Sequence, residues 1–175
     1  MFKLTLAVIV LAIAAVLVLA AMKPDTFRVQ RTASIKAPPE KIYPLIANLR
    51  DNARWSPYWR RNPTMKSTYS GPDSGPGAQV DFDGDRNVGS GRVTITEVAP
   101  PNKVTMRLQM LKPFAADNVV EFTLAPRGDT TDVSWSMQGQ RPYMIKIMSV
   151  FFNMDRMVGN DFAEGLANLK ALVET

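Results

Sequence analysis

Few side chains in this 175-residue sequence could take part in chemistry, because it contains no histidine and no cysteine. Disulfides, thiolate nucleophiles, Ser-His-Asp triads, haem ligation by histidine and ordinary zinc sites each need one of those two residue types. Acid–base catalysis would fall to Asp, Glu, Lys, Arg or Tyr, without the side chain that titrates near neutral pH. The composition therefore favours a non-catalytic function and keeps an enzyme as the alternative.

Asp155 is the candidate catalytic carboxylate. It precedes Val158 by three residues, so it lies on or beside the apolar stripe of a predicted helix, where an unpaired carboxylate would be costly. Two roles are open. Asp155 pairs with an arginine or caps a helix break near Asn153, or it projects into a cavity as a general acid or base, with Tyr69 or Arg107 as possible partners.

The acidic and glycine-rich segments do not match known metal or cofactor sites. The segment Asp81-Phe-Asp-Gly-Asp85 is followed by Arg86, where a calcium-binding EF-hand loop needs glycine, and by Arg92, where it needs glutamate. The glycine cluster of residues 71–77 lacks the Lys-Ser/Thr pair and the following helix of a phosphate-binding loop. We therefore expect no metal ion and no cofactor.

The first residues form an apolar segment of membrane-spanning length. Residues 4–22 carry no charge, contain Thr5 as their one polar side chain, and are flanked by Lys3 and Lys23. Such a helix just spans a hydrocarbon core of about 30 Å. The run is longer than the roughly 7–15 residues of a signal-peptide core. We expect a retained anchor in residues 1–23, with a cleaved signal peptide as the alternative, and one further domain in residues 24–175.

The positive charges give conflicting indications about the side of the membrane. Lys23, Arg28, Arg31 and Lys36 come after the apolar segment, and such residues favour a cytoplasmic location. However, residues that fold into a strand are poor topology signals, and an apolar segment with so short an N-terminal tail commonly exports the domain on its C-terminal side. We expect a single-pass protein with an exported domain. The basic residues form no cluster, so a nucleic-acid interface is not expected.

The remaining sequence predicts one α+β domain. Residues 27–36 alternate in polarity as a strand with one buried face. Two predicted helical segments follow, one after Pro38-Pro39 and one in residues 48–57, and then six further alternating segments separated by short turns. The chain ends in a long amphipathic helix that reaches Glu174, with a possible break near Asn153. This order predicts a helix-grip fold, in which a curved antiparallel sheet of about seven strands wraps around the C-terminal helix.

Two glycines interrupt the predicted C-terminal helix. Gly159 and Gly165 lie within this helix, and a glycine lowers helix stability. We therefore expect close contact between the helix and the sheet at these positions, or room for a ligand.

Three segments carry a resemblance to a known family. They are Ser34–Ile42, Trp55-Ser-Pro-Tyr-Trp59 and Met154–Lys170. Together with the element order, they resemble the START/Bet v 1-like (SRPBCC) superfamily and, within it, the polyketide cyclase/dehydrase and lipid-transport branch, over about residues 27–174. The resemblance implies an elongated hydrophobic cavity between the sheet and the C-terminal helix, with ligands that range from lipids to polyketides.

Large apolar side chains on the predicted inner faces of the strands and the C-terminal helix are the candidate cavity wall, although each of them would also suit a packed core. Trp55 and Trp59 follow the first helix and close one end of the cavity, as a hydrophobic plug or as a lid or membrane-interface contact. The set comprises Trp55, Trp59, Phe82, Met106, Leu108, Met110, Phe122, Trp135, Met137, Val158 and Phe162. Methionines and aromatic rings suit an apolar guest. Our leading hypothesis is non-catalytic binding of a hydrophobic small molecule or lipid by a membrane-tethered domain. The alternatives are a cyclase or dehydratase that uses Asp155 or a tyrosine, and an envelope protein-interaction module with a packed core; the oligomeric state is not predicted.

Overall fold

The computed structural model describes residues 2–175, and side chains from residue 4 onward. Within these residues the chain forms six helices and seven strands, in the order that the sequence predicts. They are α1 Phe2–Ala21, β1 Thr26–Ile35, α2 Pro39–Ala47, α3 Asn52–Trp55, α4 Pro57–Arg61, β2 Lys66–Ser70, β3 Gln79–Asp83, β4 Ser90–Ala99, β5 Lys103–Lys112, β6 Ala116–Arg127, β7 Thr130–Gln140, α5 Tyr143–Phe151 and α6 Met154–Glu174.

The seven strands form one antiparallel sheet in the order β1-β7-β6-β5-β4-β3-β2. Strands β2 to β7 each pair with their neighbour in the chain, and β1 adds to β7, with Val29 opposite Met137 and Ala33 opposite Val133. Helices α2 to α4 therefore connect the two edges of the sheet. The predicted α+β helix-grip fold, with its short helices after β1 and its long C-terminal helix, is confirmed.

The long C-terminal segment breaks where the sequence indicates. Helix α5 ends at Phe151 and α6 begins at Met154, and the Asn153 side chain accepts a hydrogen bond of 2.9 Å from the backbone N–H of Arg156. This N-cap satisfies one of the free donors of the first helical turn. On either side of the break, α5 packs against α1 and α6 packs against β1.

Helix α6 lies against the inner face of the sheet through a fully buried stripe that includes Phe162, Leu166 and Leu169. Its two glycines lie at points of close approach. A Cβ atom at Gly165 would stand 2.6 Å from Cζ3 of Trp135, and one at Gly159 would stand 2.0 Å from Nη2 of Arg31. Of the two expected explanations for these glycines, close helix–sheet contact is the one that the structure shows.

Helix α1 exposes most of its apolar side chains, and contacts the rest of the chain through α5. The Tyr143 hydroxyl donates a hydrogen bond of 3.0 Å to the Leu17 carbonyl, and the buried Lys146 ammonium pairs with the Asp25 carboxylate just beyond α1. Within α1, the stretch Leu4–Ala21 is long and apolar enough to cross a membrane, a criterion that an N-terminal signal sequence also meets.

Candidate functional site

A cavity of about 260 Å³ lies between the inner face of the sheet, helices α3 and α4, and the first turns of α6. Ten of the eleven predicted wall residues line it: Trp55, Trp59, Phe82, Met106, Leu108, Met110, Phe122, Trp135, Met137 and Val158. The exception is Phe162, whose ring stacks on the Trp135 indole at 4.1 Å and 10° instead of lining the cavity. The structure thus brings the predicted wall together around one space.

The sequence prediction missed eight further lining residues. They are Asn52, Ser56, Tyr58, Met65, Val88, Val93, Asn118 and Val120. Strand alternation could have found Val120 and Asn118, which share the inner face of β6 with Phe122. Helical spacing could have found Asn52, which precedes Trp55 by one turn. Asn52 and Asn118 are small and polar, so a search for large apolar side chains does not find them.

Aromatic contacts hold one wall of the cavity in place. The Trp55 ring meets Phe122 and Trp135 edge-on, with centroids 5.8 and 5.5 Å apart. Trp135 also packs against Phe122 at 5.0 Å. Such edge and offset arrangements are the favourable geometries for aromatic pairs. Because Phe162 lies behind it, the Trp135 indole is contacted by three aromatic rings, which fix its orientation.

The polar atoms along the cavity fall into two groups. The indole N–H groups of Trp55 and Trp59 donate to the Leu45 carbonyl at 3.0 Å and to the Ser67 hydroxyl at 3.2 Å. By contrast, three buried atoms have no hydrogen-bond partner in the structure: the indole nitrogen of Trp135 and the side-chain carbonyl oxygens of Asn52 and Asn118. Buried polar groups without a partner are rare in proteins and each needs an explanation.

No described residue that lines the cavity carries a formal charge at neutral pH. Asp155 is not among the lining residues; its carboxylate is 59% exposed and pairs with the Arg31 guanidinium at 3.1 Å. Of the two roles that the sequence left open for Asp155, the structure therefore shows the pairing with an arginine. Arg31 shares the inner face of β1 with Val29 and Ala33, which brings it to the start of α6.

The possible partners of Asp155 lie elsewhere. Arg107 forms a bidentate pair with Asp117 on the outer face of the sheet, and the Tyr69 ring lies beneath the Arg50 guanidinium at 4.5 Å. Neither residue lines the cavity. The sequence-predicted catalytic group is thus not assembled at this site.

Tyr58 is the phenol that does line the cavity. Its burial, together with the neighbouring Asp161 carboxylate, raises its pKa far above its ordinary value of 10.0. Asp161 is itself held by Arg61 at 2.7 Å, and Arg61 also pairs with Glu164, so the three residues join α4 to α6. A phenol with a raised pKa stays protonated at neutral pH, where it can act as a hydrogen-bond donor but not as a base.

Among the described residues, no group of three or more His, Cys, Asp or Glu side chains could hold a metal ion. The acidic segment of residues 81–85 instead forms local contacts. Asp81 pairs with Arg92 on the neighbouring strand at 2.7 Å, and the Asp85 carboxylate accepts hydrogen bonds from the backbone N–H groups of Asn87 and Val88. These carboxylates are accounted for by the turn and the hairpin that they stabilise.

Several solved structures share this fold at low sequence identity. The protein CV1439 from Chromobacterium violaceum is 20% identical with a TM-score of 0.60, over 87% of this chain and 99% of that one. The protein MLL2253 from Mesorhizobium loti is 16% identical with a TM-score of 0.63, over 85% and 97%. Ara h 8.0201 is 10% identical with a TM-score of 0.58, over 85% and 97%.

Sequence comparison identifies the family. No curated protein matches the chain. A family model described as "Polyketide cyclase / dehydrase and lipid transport" matches residues 26–174, which include every strand and all helices after α1. These residues contain the sheet, the helices and the whole lining of the cavity. The chain therefore belongs to the polyketide cyclase/dehydrase and lipid-transport family.

Proposed function

We propose that this protein binds a hydrophobic small molecule or lipid in its internal cavity, without chemical transformation, while residues 4–22 tether it to a membrane. The observation that carries the proposal is the uncharged, mainly apolar cavity between the sheet and α6. Apolar surface that an enclosed ligand removes from water contributes about 25 cal/mol per Å². Such a cavity favours a guest that water solvates poorly.

The size of the cavity limits the ligand. Its volume of about 260 Å³ is slightly below the roughly 300–1,000 Å³ typical of small-molecule sites. A compact hydrophobic molecule fits such a space, as does one end of a longer lipid whose remainder passes through the mouth. Met65, Leu108, Met110 and Val158 are among the lining residues that are only partly buried.

The arrangement of ionisable groups supports binding rather than catalysis. Asp155 and Arg107, the charged members of the predicted catalytic group, are held in ion pairs away from the cavity. Tyr58 reaches the cavity, but the direction of its pKa shift opposes loss of its proton. A cyclase or dehydratase that moves protons on its substrate would need a group that titrates nearer neutral pH.

Two features of the helical elements support the membrane tether. Helix α1 exposes an apolar surface over its length. Helix α5, which packs against α1, also exposes large apolar side chains: Met144 is 60% exposed and Phe151 67%, and Phe152, directly after α5, is 64% exposed. Exposed apolar patches of this kind mark interaction surfaces. We propose that α5 lies at the surface of the bilayer that α1 enters, with the domain on the exported side.

Fractionation tests the tether. Membranes from cells that express the full chain are washed with alkaline carbonate, and the mass of the retained protein is measured. A retained chain that includes residues 1–23 supports the anchor, whereas a soluble chain that begins near residue 23 contradicts it. Digestion by added protease in spheroplasts, but not in intact cells, supports the exported side, and protection in spheroplasts contradicts it.

Intrinsic fluorescence tests ligand binding directly, because all three tryptophans of the sequence line the cavity. The full chain in lipid nanodiscs is titrated with N-phenylnaphthylamine, a neutral apolar dye, and energy transfer from tryptophan to the dye is recorded. We expect saturable transfer with about one dye per cavity. Transfer that never saturates, or does not exceed that of dye dissolved in the disc lipid, would contradict binding.

Two adjacent positions on β6 provide a matched pair of variants. Val120 lines the cavity, while Val119 is 42% exposed. Val120→Phe places a ring in the cavity, and we expect dye affinity to fall by about tenfold or more, since a filled cavity excludes the guest. Val119→Phe makes the same change outside the cavity and should leave the affinity unchanged. Equal affinities of the two variants would place the dye elsewhere.

A further inference from the structure

Three residues that line the cavity each carry a buried polar atom without a hydrogen-bond partner. Of the five buried side-chain polar atoms without a partner among the described residues, three belong to residues that line this cavity: Asn52, Asn118 and Trp135. Each of these three residues is more than nine-tenths buried. Most of the unpaired atoms thus belong to residues of the proposed binding site.

We propose that the cavity selects a neutral ligand that carries a hydroxyl or an equivalent hydrogen-bonding group, with an acceptor for the Trp135 N–H and a donor for the carbonyl oxygen of Asn52 or Asn118. This inference rests on the proposed ligand-binding function and specifies the ligand class. The indole nitrogen only donates and the amide carbonyl only accepts, so a hydroxyl group, which does both, meets either requirement.

Aromatic contacts on several sides fix the orientation of the Trp135 ring. Its ring is stacked on Phe162 at 4.1 Å and contacted by Trp55 and Phe122. Rotation of the indole would break these contacts, so its N–H direction is set by the packing. Trp55 and Trp59 line the same cavity, yet both have partners within the protein. Trp135 is therefore the one indole of the lining whose N–H has no protein partner.

The positions of the polar groups also suit an amphiphilic molecule. Asn118 lies four residues from Phe122 on β6, and Phe122 pairs with Trp135, so roughly 13 Å of strand separates the level of Asn118 from that of Trp135. Met137 and Val120, which pair with each other between these levels, are apolar. A ligand with an apolar body and a polar group at one end or at both ends matches this pattern.

The lack of charge in the lining determines which polar groups are acceptable. A carboxylate or ammonium group in an apolar enclosure needs a partner of opposite charge. The nearby ionic groups are already paired with one another, as Arg31 is with Asp155 and Arg61 with Asp161. The cavity therefore favours a hydroxyl over an ionised head group.

Four probes of equal chain length separate these requirements: decanol, methyl decyl ether, decane and decanoate. Each displaces N-phenylnaphthylamine from the full chain in nanodiscs, with a correction for partition into empty discs. Trp135→Phe keeps an aromatic ring against Phe162 but removes the N–H donor. We expect it to weaken the binding of decanol and of the ether about tenfold relative to decane. A tenfold change corresponds to the loss of one hydrogen bond of about 1.4 kcal/mol. Asn52→Leu should weaken decanol but not the ether, because an ether cannot donate. Decanoate should bind more weakly than decanol at neutral pH.

Trp59→Phe is the control, because Trp59 lines the same cavity but its N–H is already bound to Ser67. It should change the affinities of decanol and decane by the same factor. If Trp135→Phe and Asn52→Leu also leave the decanol-to-decane ratio unchanged, water satisfies these atoms and the inference is wrong, although the binding function stands. If neither decane nor decanol displaces the dye, the proposed function itself fails.

Discussion

Gly165→Ala should destabilise the protein, because the new methyl group meets a ring that cannot move aside. The added Cβ would lie 2.6 Å from Cζ3 of Trp135 and 3.0 Å from Cδ of Pro57. A normal carbon–carbon contact needs about 3.5–4.0 Å, so the ring or the helix must shift by about 1 Å. The Trp135 indole is held between Phe162 and Trp55, so we expect a cost in the upper part of the roughly 1–3 kcal/mol range for overpacking.

The net effect is smaller once the helical preference of alanine is included. Alanine stabilises a helix interior by about 1 kcal/mol relative to glycine. The difference leaves a loss of about 1–2 kcal/mol, which for a domain of this size lowers the melting temperature by about 2–8 °C. The assay is thermal unfolding of the full chain in nanodiscs, followed by tryptophan fluorescence, which also reports any displacement of Trp135.

Gly159→Ala is the matched control in the same helix. Its Cβ would meet the end of the flexible Arg31 side chain at 2.0 Å, and that side chain can turn away. The cost is an exposed ion pair with Asp155, worth about 0–1 kcal/mol, against a similar gain in helix stability. We therefore expect a melting temperature equal to or slightly above that of the original chain. A Gly165→Ala protein as stable as the Gly159→Ala protein would refute the account of packing around Trp135.

A buried hydroxyl, a buried phenol and an exposed carboxylate allow further tests of stability, pH dependence and the site. Thr131→Val should cost about 1–3 kcal/mol in chemical denaturation, because its fully buried hydroxyl donates to the Ala37 carbonyl at 2.7 Å. Thr130→Val, at the half-buried start of β7, should cost under about 0.5 kcal/mol, and equal losses would contradict this. Because the pKa of Tyr58 is raised in the folded protein, the unfolded chain loses this proton first as the pH rises above 10.0. The free energy of unfolding should therefore decline above pH 10.0, by at most about 1.4 kcal/mol per pH unit. Denaturation curves between about pH 9 and pH 11 should show a smaller decline for Tyr58→Phe, and an unchanged slope would contradict the assignment. Asp155→Asn should keep the dye affinity within about twofold, because its carboxylate lies outside the cavity, and a tenfold loss would return Asp155 to the site.

The strands were predictable because their signal is local. Alternation within β1 and β5 reports which side of a strand is buried, whatever the strand pairs with. The second helical segment was less accurate: the sequence predicts one piece over residues 48–57, and the structure has α3 and α4, which meet at Ser56 and Pro57. Proline at the first position of α4 starts a new helix there, because its missing N–H costs nothing at a helix start.

Sequence patterns predicted which side chains point toward the cavity, but not how far each of them lies from it. Strand faces and the α6 stripe identified eight lining residues, and the segment Trp55–Trp59 supplied two more. Phe162, on the same α6 stripe, lies behind Trp135 instead of on the wall. Spacing along a helix reports a direction and not a distance from a cavity. The partner of Asp155 is 124 residues away in the chain, at Arg31, and depends on how α6 lies across β1. No local pattern contains that information.

We expect the cavity between the sheet and α6 to hold a hydrophobic guest. Native mass spectrometry of the full chain, released from nanodiscs that were prepared from its own host membranes, tests this most directly. We expect a population of the chain that carries one bound molecule of low charge, which organic extraction recovers, and we expect its loss in Val120→Phe but not in Val119→Phe. A chain that is always free of ligand, or an adduct equally abundant in both variants, would contradict the account.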